Sequence, residues 1–210
     1  MGEEPVNCPF DSDYRPLFEV IVFCIVDCGF IPRSSLEVMD SGEARVHKIR
    51  ELIRSSKYAV HDLSRVELAK SNGLPRFNMP FEFGLDLGAR HYGTGRLKLK
   101  CCIVLEAQEY TYQKTLSDIA GQDPAYHHNS PDEAISAVRG WLRTASARTT
   151  IPGDLTIKKR FAEFSTQVPE IAAAAGLDRT NLKFVDYVHM VEVWLRSHAT
   201  FSNQRGWTAR

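Results

Sequence analysis

The sequence lacks a long uninterrupted hydrophobic run and an excess of charge of either sign. Its most apolar stretch, Leu17 to Ile31, is interrupted by Glu19 and Asp27, so it falls short of a bilayer span and lacks the flanks of a signal peptide. The 26 basic and 26 acidic side chains cancel, which argues against a general attraction to nucleic acid or to an anionic membrane. We therefore expect a cytosolic protein that binds neither.

Cysteine pairs with metal-binding or redox spacing are also missing. None of the five cysteines forms a CxxC pair, and an odd number in a chain of 210 residues does not indicate a disulfide framework. His127 and His128 are adjacent, so they would point to opposite sides of a strand and would not share a metal ion. We expect no metal and no cofactor.

Three common catalytic or nucleotide-binding motifs are absent as well. There is no GxSxG elbow, and Cys8 has no identifiable histidine partner, so serine or cysteine nucleophiles have little support. The sequence Gly93-Thr94-Gly95 follows a predicted helix, whereas a Rossmann fingerprint and a P-loop both open one. These classes of site are therefore set aside.

The residues that are present alternate between strand and helix patterns. Short apolar runs predict strands near Val6, at Phe30-Ile31, at Tyr58 to His61 and at Cys101 to Leu105. Helical spacing predicts helices at Tyr14 to Cys28, around Val46 to Ile53, from Pro80 to Gly93 and at Pro131 to Leu142. The pattern predicts an α/β fold, in which helices cover both faces of a parallel sheet.

Two further helical patterns follow a predicted linker at Ala145 to Gly153. They run from Leu155 to Ala175 and from Asp178 to Ala199, and together they predict a helical hairpin. We therefore divide the chain into an α/β domain at 1–145 and a helical extension at 154–200. The sequence leaves open whether the hairpin is a lid, a dimerisation arm or a packing element. We expect a homo-oligomer or a partner chain to assemble through it.

Polar side chains follow each of the predicted strands. Asp11 follows the first strand, Arg33 the second, and Asp62 and Ser64 the third, while Glu82 opens the next helix. Each has a local explanation as a turn, cap or surface residue. Because ligands of an open parallel sheet bind outside the carboxyl ends of its strands, the joint placement favours a binding site there.

Glu82 is the strongest single candidate for chemistry. It is a lone acid in an apolar helix start, between Phe81 and Phe83, and burying a carboxylate without partners is unfavourable. The alternative is that Glu82 faces solvent. A second polar cluster follows the fourth strand, where Asp118 could contribute to recognition of a base or could simply form a turn.

Three short motifs in this order resemble the nucleoside 2-deoxyribosyltransferase-like group, which is related to TIR-like domains. They are Pro9-Phe10-Asp11, His61-Asp62-Leu63-Ser64, and the N-x-x-x-E-x-G-x-x-x-G start from Asn78 through Glu82 to Gly88. The resemblance spans roughly residues 5 to 143. It implies a flavodoxin-like sheet and cleavage or transfer at an N-glycosidic bond of a nucleoside, a nucleotide or NAD.

The resemblance also implies roles for individual residues. Glu82 would attack or stabilise the anomeric carbon, and Asp62 would hold the departing base or assist proton transfer. Asn78 and Ser64 would position sugar hydroxyls, with Phe10 and Asp11 also lining the substrate site. A guanidinium such as that of Arg33 would suit a phosphate, because its planar fork matches phosphate oxygens.

Two departures from the family pattern leave the reaction open. The segment Glu67 to Phe77 is longer and more basic than the family pattern, and the C-terminal helices are extra. The enzyme would then be a hydrolase or a transferase, with a role in antiphage defence implied by resemblance only. The alternative is a non-catalytic, TIR-like module that senses a nucleotide and oligomerises.

Overall fold

The protein folds around a parallel sheet whose strand order is β2-β1-β3-β4-β5. The computed structural model describes residues 3–9, 11–37, 40–65, 77–114, 116–119 and 121–199. In these ranges the strands are β1 Glu3–Asn7, β2 Ile31–Arg33, β3 Tyr58–Asp62, β4 Cys101–Glu106 and β5 Ala125–Tyr126. Every neighbouring pair is parallel. This is the flavodoxin-like order, so the predicted fold class is confirmed.

Six α-helices accompany the sheet within the described ranges. They are α1 Arg15–Asp27, α2 Arg45–Ser55, α3 Asn78–Tyr92, α4 Pro131–Ser146, α5 Asp154–Ala174 and α6 Phe184–Ala199. The region from Ser117 to Asn129 contains a 3-10 turn and the strand β5, and the sequence analysis does not predict this strand. A strand of two residues has no apolar run to reveal it.

The sheet separates two apolar clusters because successive strand residues face opposite sides. Ile103 and Leu105 of β4 pack with α1 and α4 in the larger cluster, whereas Val104 packs with Met79 and Phe83 of α3 in the smaller one. Helices therefore cover both faces, as the sequence predicts. The alternation also determines which side chains at the end of each strand share a face.

Helix α1 is enclosed on both sides. Its inner side faces the sheet, and its outer side contacts α5 and α6, so nearly every residue from Leu17 to Asp27 is buried. The ring of Phe23 lies 5.3 Å from that of Phe164 in α5 and 6.2 Å from that of Trp194 in α6. The C-terminal helices thus belong to the same core as α1 and α4. The domain division and the oligomer remain predictions.

Two smaller findings concern the helices. Along the described part of the chain, no helix is both long and apolar enough to cross a membrane. At Gly84 and Gly88 of α3, an added Cβ would meet no described atom within 4 Å.

Candidate functional site

The candidate site lies where the strand order reverses in the sheet, between the carboxyl ends of β1 and β3. Helix α1 packs on one face of the sheet and α3 on the other, and in sheets of this kind ligands bind between the loops that lead to two such helices, so we call this place the switch-point crevice. Asn7 Nδ2 donates to Met79 O at 3.1 Å, which holds the first turn of α3 against the end of β1. An ion pair between Arg65 Nη2 and Asp11 Oδ1, 3.9 Å apart, joins the two loops.

Asp62 is the centre of a buried hydrogen-bond network at this edge. Its Oδ1 accepts from the Ser64 backbone N–H at 2.8 Å. Its Oδ2 accepts from the Tyr14 hydroxyl and lies 3.0 Å from His127 Nε2. Asp62 therefore connects the end of β3, the start of α1 and the loop after β5, and three donors point at its two oxygens.

His127 is fully buried, and its hydrogen bonds assign its tautomer. The backbone N–H of Asn129 donates to Nδ1 at 3.0 Å, so Nε2 carries the proton. Left-handed backbone at His128 (φ 48°) and Asn129 (φ 57°) forms the turn that aims this N–H. The two adjacent histidines diverge, because His128 is exposed and contacts Glu133 at 2.5 Å.

Ser64, His127 and Asp62 contain the residue types of a serine triad without its geometry. Ser64 Oγ lies 3.0 Å from His127 Nε2, the same nitrogen that contacts Asp62. A triad uses opposite ring nitrogens for serine and aspartate, and the nitrogen facing serine must be able to take a proton. The protonated Nε2 cannot do so, so the arrangement is a positioning network.

Glu82 is buried beside this network. Its residue exposure is 7%, and its Oε1 lies 3.6 Å from Nη2 of Arg45, whose side chain is 51% exposed. Burial raises the pKa of the Glu82 carboxyl, and the Arg45 charge opposes the rise. The alternative that Glu82 faces solvent is therefore not what the structure has.

Cys8 links the two predicted carboxylates. The thiol is fully buried, and its pKa is raised well above the usual value by burial and by the charges of Asp62 and Glu82. Both carboxylates therefore lie within electrostatic reach of one sulfur. Because the thiolate is the reactive form, this environment disfavours Cys8 as a nucleophile.

Glu106, the last residue of β4, is a functional candidate that sequence reasoning missed. It is fully buried, and its Oε1 accepts from the Tyr112 backbone N–H at 2.6 Å. Its Oε2 has no hydrogen-bond partner among the described residues. Burial raises the pKa of this carboxyl to about 7. The available signal was a lone acid directly after the apolar run Cys101 to Leu105, the same kind of signal that pointed to Glu82.

A second buried series of polar contacts holds α3 against the sheet. Asn7 Nδ2 contacts His61 Nδ1 at 3.0 Å, so the proton of His61 is on Nε2, 3.4 Å from Asp86 Oδ2. Asp86 Oδ1 lies 2.9 Å from Lys100 Nζ. Although burial raises the pKa of Asp86, His61 and Lys100 outweigh it and hold that pKa below its usual range. These contacts position the turn of α3 that follows Glu82.

The other predicted site residues are less closely grouped. Asp11 Oδ1 accepts from the Tyr14 backbone N–H at 3.0 Å, so it serves the turn before α1 as well as the pair with Arg65. Asn78 is exposed at the first position of α3, and Asp118 is exposed in a 3-10 turn. Phe10 lies outside the described residues, as does most of the basic segment before Phe77.

Arg33 points towards a different part of the surface. Its Nε donates to Glu37 Oε2 at 2.7 Å. It lines a groove of about 360 Å³ together with apolar residues of β2 and α6, including Val188. The structure therefore does not bring Arg33 together with Glu82 and Asp62 at the switch-point crevice.

Comparisons with family profiles, curated proteins and solved structures found no match to this chain. The family resemblance therefore stays a prediction. Within the described ranges, no three side chains of histidine, cysteine, aspartate or glutamate are arranged to hold a metal ion.

Proposed function

We propose that the protein cleaves the N-glycosidic bond of a nucleoside, a nucleotide or NAD, with Glu82 as the nucleophile or the stabiliser of the sugar cation. The observation that carries the proposal is a nearly buried carboxyl, in the first turns of α3, next to the switch-point crevice. Ligands of sheets with this strand order bind at that place. A buried carboxyl at such a place is a recognised mark of functional sites.

The chemistry requires a carboxylate that stays ionised although it is buried. When the bond between sugar and base breaks, positive charge builds at the anomeric carbon, and a carboxylate on the opposite face can stabilise or capture it. Arg45 supplies the positive charge that counteracts the effect of burial on Glu82.

Asp62 has a supporting role in this proposal. Three donors already point at its oxygens, from Tyr14, Ser64 and His127. A carboxylate in that position orders the loops around the crevice. We assign Asp62 this positioning role, while its role in holding the departing base or assisting proton transfer, which the resemblance implies, stays a prediction.

The test is base release by Glu82→Gln, measured by chromatography on a panel of nucleosides, nucleotides and NAD. We expect the variant to fold normally and to lose activity by a factor on the order of 10³ or more, as expected for removal of a nucleophile. The matched control is Glu170→Gln, an exposed glutamate on α5, which should retain activity.

Two outcomes would overturn the proposal. Undiminished base release by Glu82→Gln would remove Glu82 from the reaction. Wild-type protein that binds a nucleotide but leaves the whole panel intact would instead favour a non-catalytic sensing module. Adding a second free base separates transferase from hydrolase, since only a transferase forms a new nucleoside.

A further inference from the structure

We propose that Glu106 is the general acid that protonates the departing base. The inference rests on the proposed function, because it assigns the second half of the reaction in which Glu82 meets the sugar. It is carried by a fully buried carboxyl at the carboxyl edge of the sheet that has one oxygen anchored and the other without a hydrogen-bond partner in the described part of the chain.

Glu106 lies on the same face of the sheet as the helix that carries Glu82. It follows Val104 by two residues in β4, and Val104 packs against Met79 and Phe83 of α3. Asp62 pairs with Leu105 in the strand register, so Glu106 stands at the carboxyl edge of the neighbouring strand. The side chain of Glu106 and the helix that carries Glu82 thus lie on the same face of the sheet, at the carboxyl ends of its strands.

The anchoring of Glu106 leaves one oxygen for a ligand. The Tyr112 N–H holds Oε1 at 2.6 Å, and Oε2 has no hydrogen-bond partner among the described residues. A buried oxygen without a partner is uncommon in native structures and requires an explanation. A ligand nitrogen that takes the carboxyl proton would give Oε2 a partner.

The burial of Glu106 favours a carboxyl that exchanges its proton near neutral pH. Burial is the largest effect and raises the pKa to about 7, while the Tyr112 N–H and His127 lower it and Asp62 raises it. Tyr126 on β5 also lies within electrostatic reach. A general acid works best when its pKa is close to the working pH.

The proton and electron balance is complete. The bond between the anomeric carbon and the base nitrogen breaks, and its electron pair goes to the base. The Glu106 proton goes to a base nitrogen, directly or through one water, while Glu82 forms an ester with the anomeric carbon or stabilises its charge. Water then attacks that carbon, and its proton returns to the Glu106 carboxylate.

This role predicts a difference between two classes of substrate. A neutral purine or pyrimidine leaves as an anion unless it is protonated, so it needs the acid. The nicotinamide of NAD and the base of 7-methylguanosine are already cationic, so they leave as neutral molecules without a proton. Loss of Glu106 should therefore affect the first class only.

The experiment compares Glu106→Gln with wild type on adenosine and inosine nucleotides and on NAD and 7-methylguanosine. The glutamine retains an acceptor for the Tyr112 N–H. We expect kcat/KM to fall about 10²- to 10⁴-fold on the neutral bases. It should stay within about threefold on the cationic ones, and the alkaline limb near pH 7 should disappear. Glu109→Gln, exposed three residues further on, is the matched control.

Each possible result bears on either the assignment of Glu106 or the proposed function. Equal losses on both classes, or no loss on either, would overturn the assignment of Glu106 while leaving Glu82 in place. Activity that survives Glu82→Gln would overturn the proposed function instead. Infrared difference spectra supply a readout without turnover: wild type should show a buried protonated carboxyl that titrates near pH 7 and is absent from Glu106→Gln. Absence of that signal from wild type would refute the proposal.

Discussion

Asp62 and His127 are 65 positions apart in the sequence, and their Oδ2 and Nε2 atoms lie 3.0 Å apart with both side chains buried. The contact ties the end of the third strand to the turn after the fifth. We therefore expect the stability of the fold to depend on this contact.

Replacing His127 by leucine should remove one donor from Asp62 and lower the free energy of unfolding by about 1–3 kcal/mol, the usual effect of an unsatisfied buried acceptor. His127→Gln should recover much of this loss, because its amide nitrogen can donate from nearly the same place. Urea unfolding measures both. The control is His128→Asn, at the exposed neighbour, which should change the free energy of unfolding by no more than about 0.5 kcal/mol. A loss as large as that of the leucine variant would contradict the role of His127 in the hydrogen-bond network.

Arg45→Ala should move the acid limb of the pH–rate profile to higher pH. The Arg45 charge opposes the effect of burial on Glu82, so removing it raises the pKa of Glu82 further and lowers the carboxylate fraction at mildly acidic pH. Activity should recover as the pH is raised, and Arg45→Lys should lie between the two. The exposed Arg50→Ala on the same helix is the control. An unshifted limb in Arg45→Ala would separate Arg45 from Glu82.

Glu4→Gln should remove a loss of stability that develops as the pH rises from about 4.5 to about 9. Glu4 is fully buried in β1, and burial raises its pKa to about 9, against the opposing charges of Arg148, Lys100 and Lys57. The neutral carboxyl stabilises the fold fully below the unfolded pKa of 4.5, and this contribution is lost as the pH rises towards about 9.

The unfolding free energy of wild type should therefore decline across that window, at up to about 1.4 kcal/mol per pH unit from this one group. Glu4→Gln should show a flatter profile in chemical denaturation at several pH values. Parallel profiles for wild type and variant would show that Glu4 is ionised in the fold.

Phe164→Ala should lower the free energy of unfolding by about 3–5 kcal/mol, because a fully buried ring is lost from the contact with Phe23 and Trp194. Leu155→Ala is the control on the same helix: its side chain is 76% exposed, so the change should be small. Thermal and urea unfolding distinguish the two. A small effect at Phe164 would mean that α5 is not part of the common core.

The fold class and part of the site could be predicted from the sequence, because burial leaves local patterns in it. Period-two and helical spacing predict most of the strands and helices, because local burial produces those patterns. Glu82 could be found because a lone acid in an apolar run is visible in a single segment. The strand β5 could not be found, because two residues carry no period.

Contacts between residues far apart in the sequence could not be predicted from the sequence. The roles of Tyr14 and His127 depend on contacts with Asp62 that span 48 and 65 positions, and no local pattern encodes them. Arg33 is the opposite case, in which a local pattern was present. It follows a strand, as the site argument requires, yet it lies at an edge of the sheet beside α6, where it pairs with Glu37.

Helix α1 is covered by the sheet on its inner side and by α5 and α6 on its outer side, and the covering helices are synthesised much later than α1 itself. Residues 15–27 are synthesised well before the helices that cover their outer side, which begin only at residue 154. At typical rates of translation, the apolar outer surface of α1 stays uncovered for on the order of ten seconds. During that interval we expect this surface to be available to a chaperone.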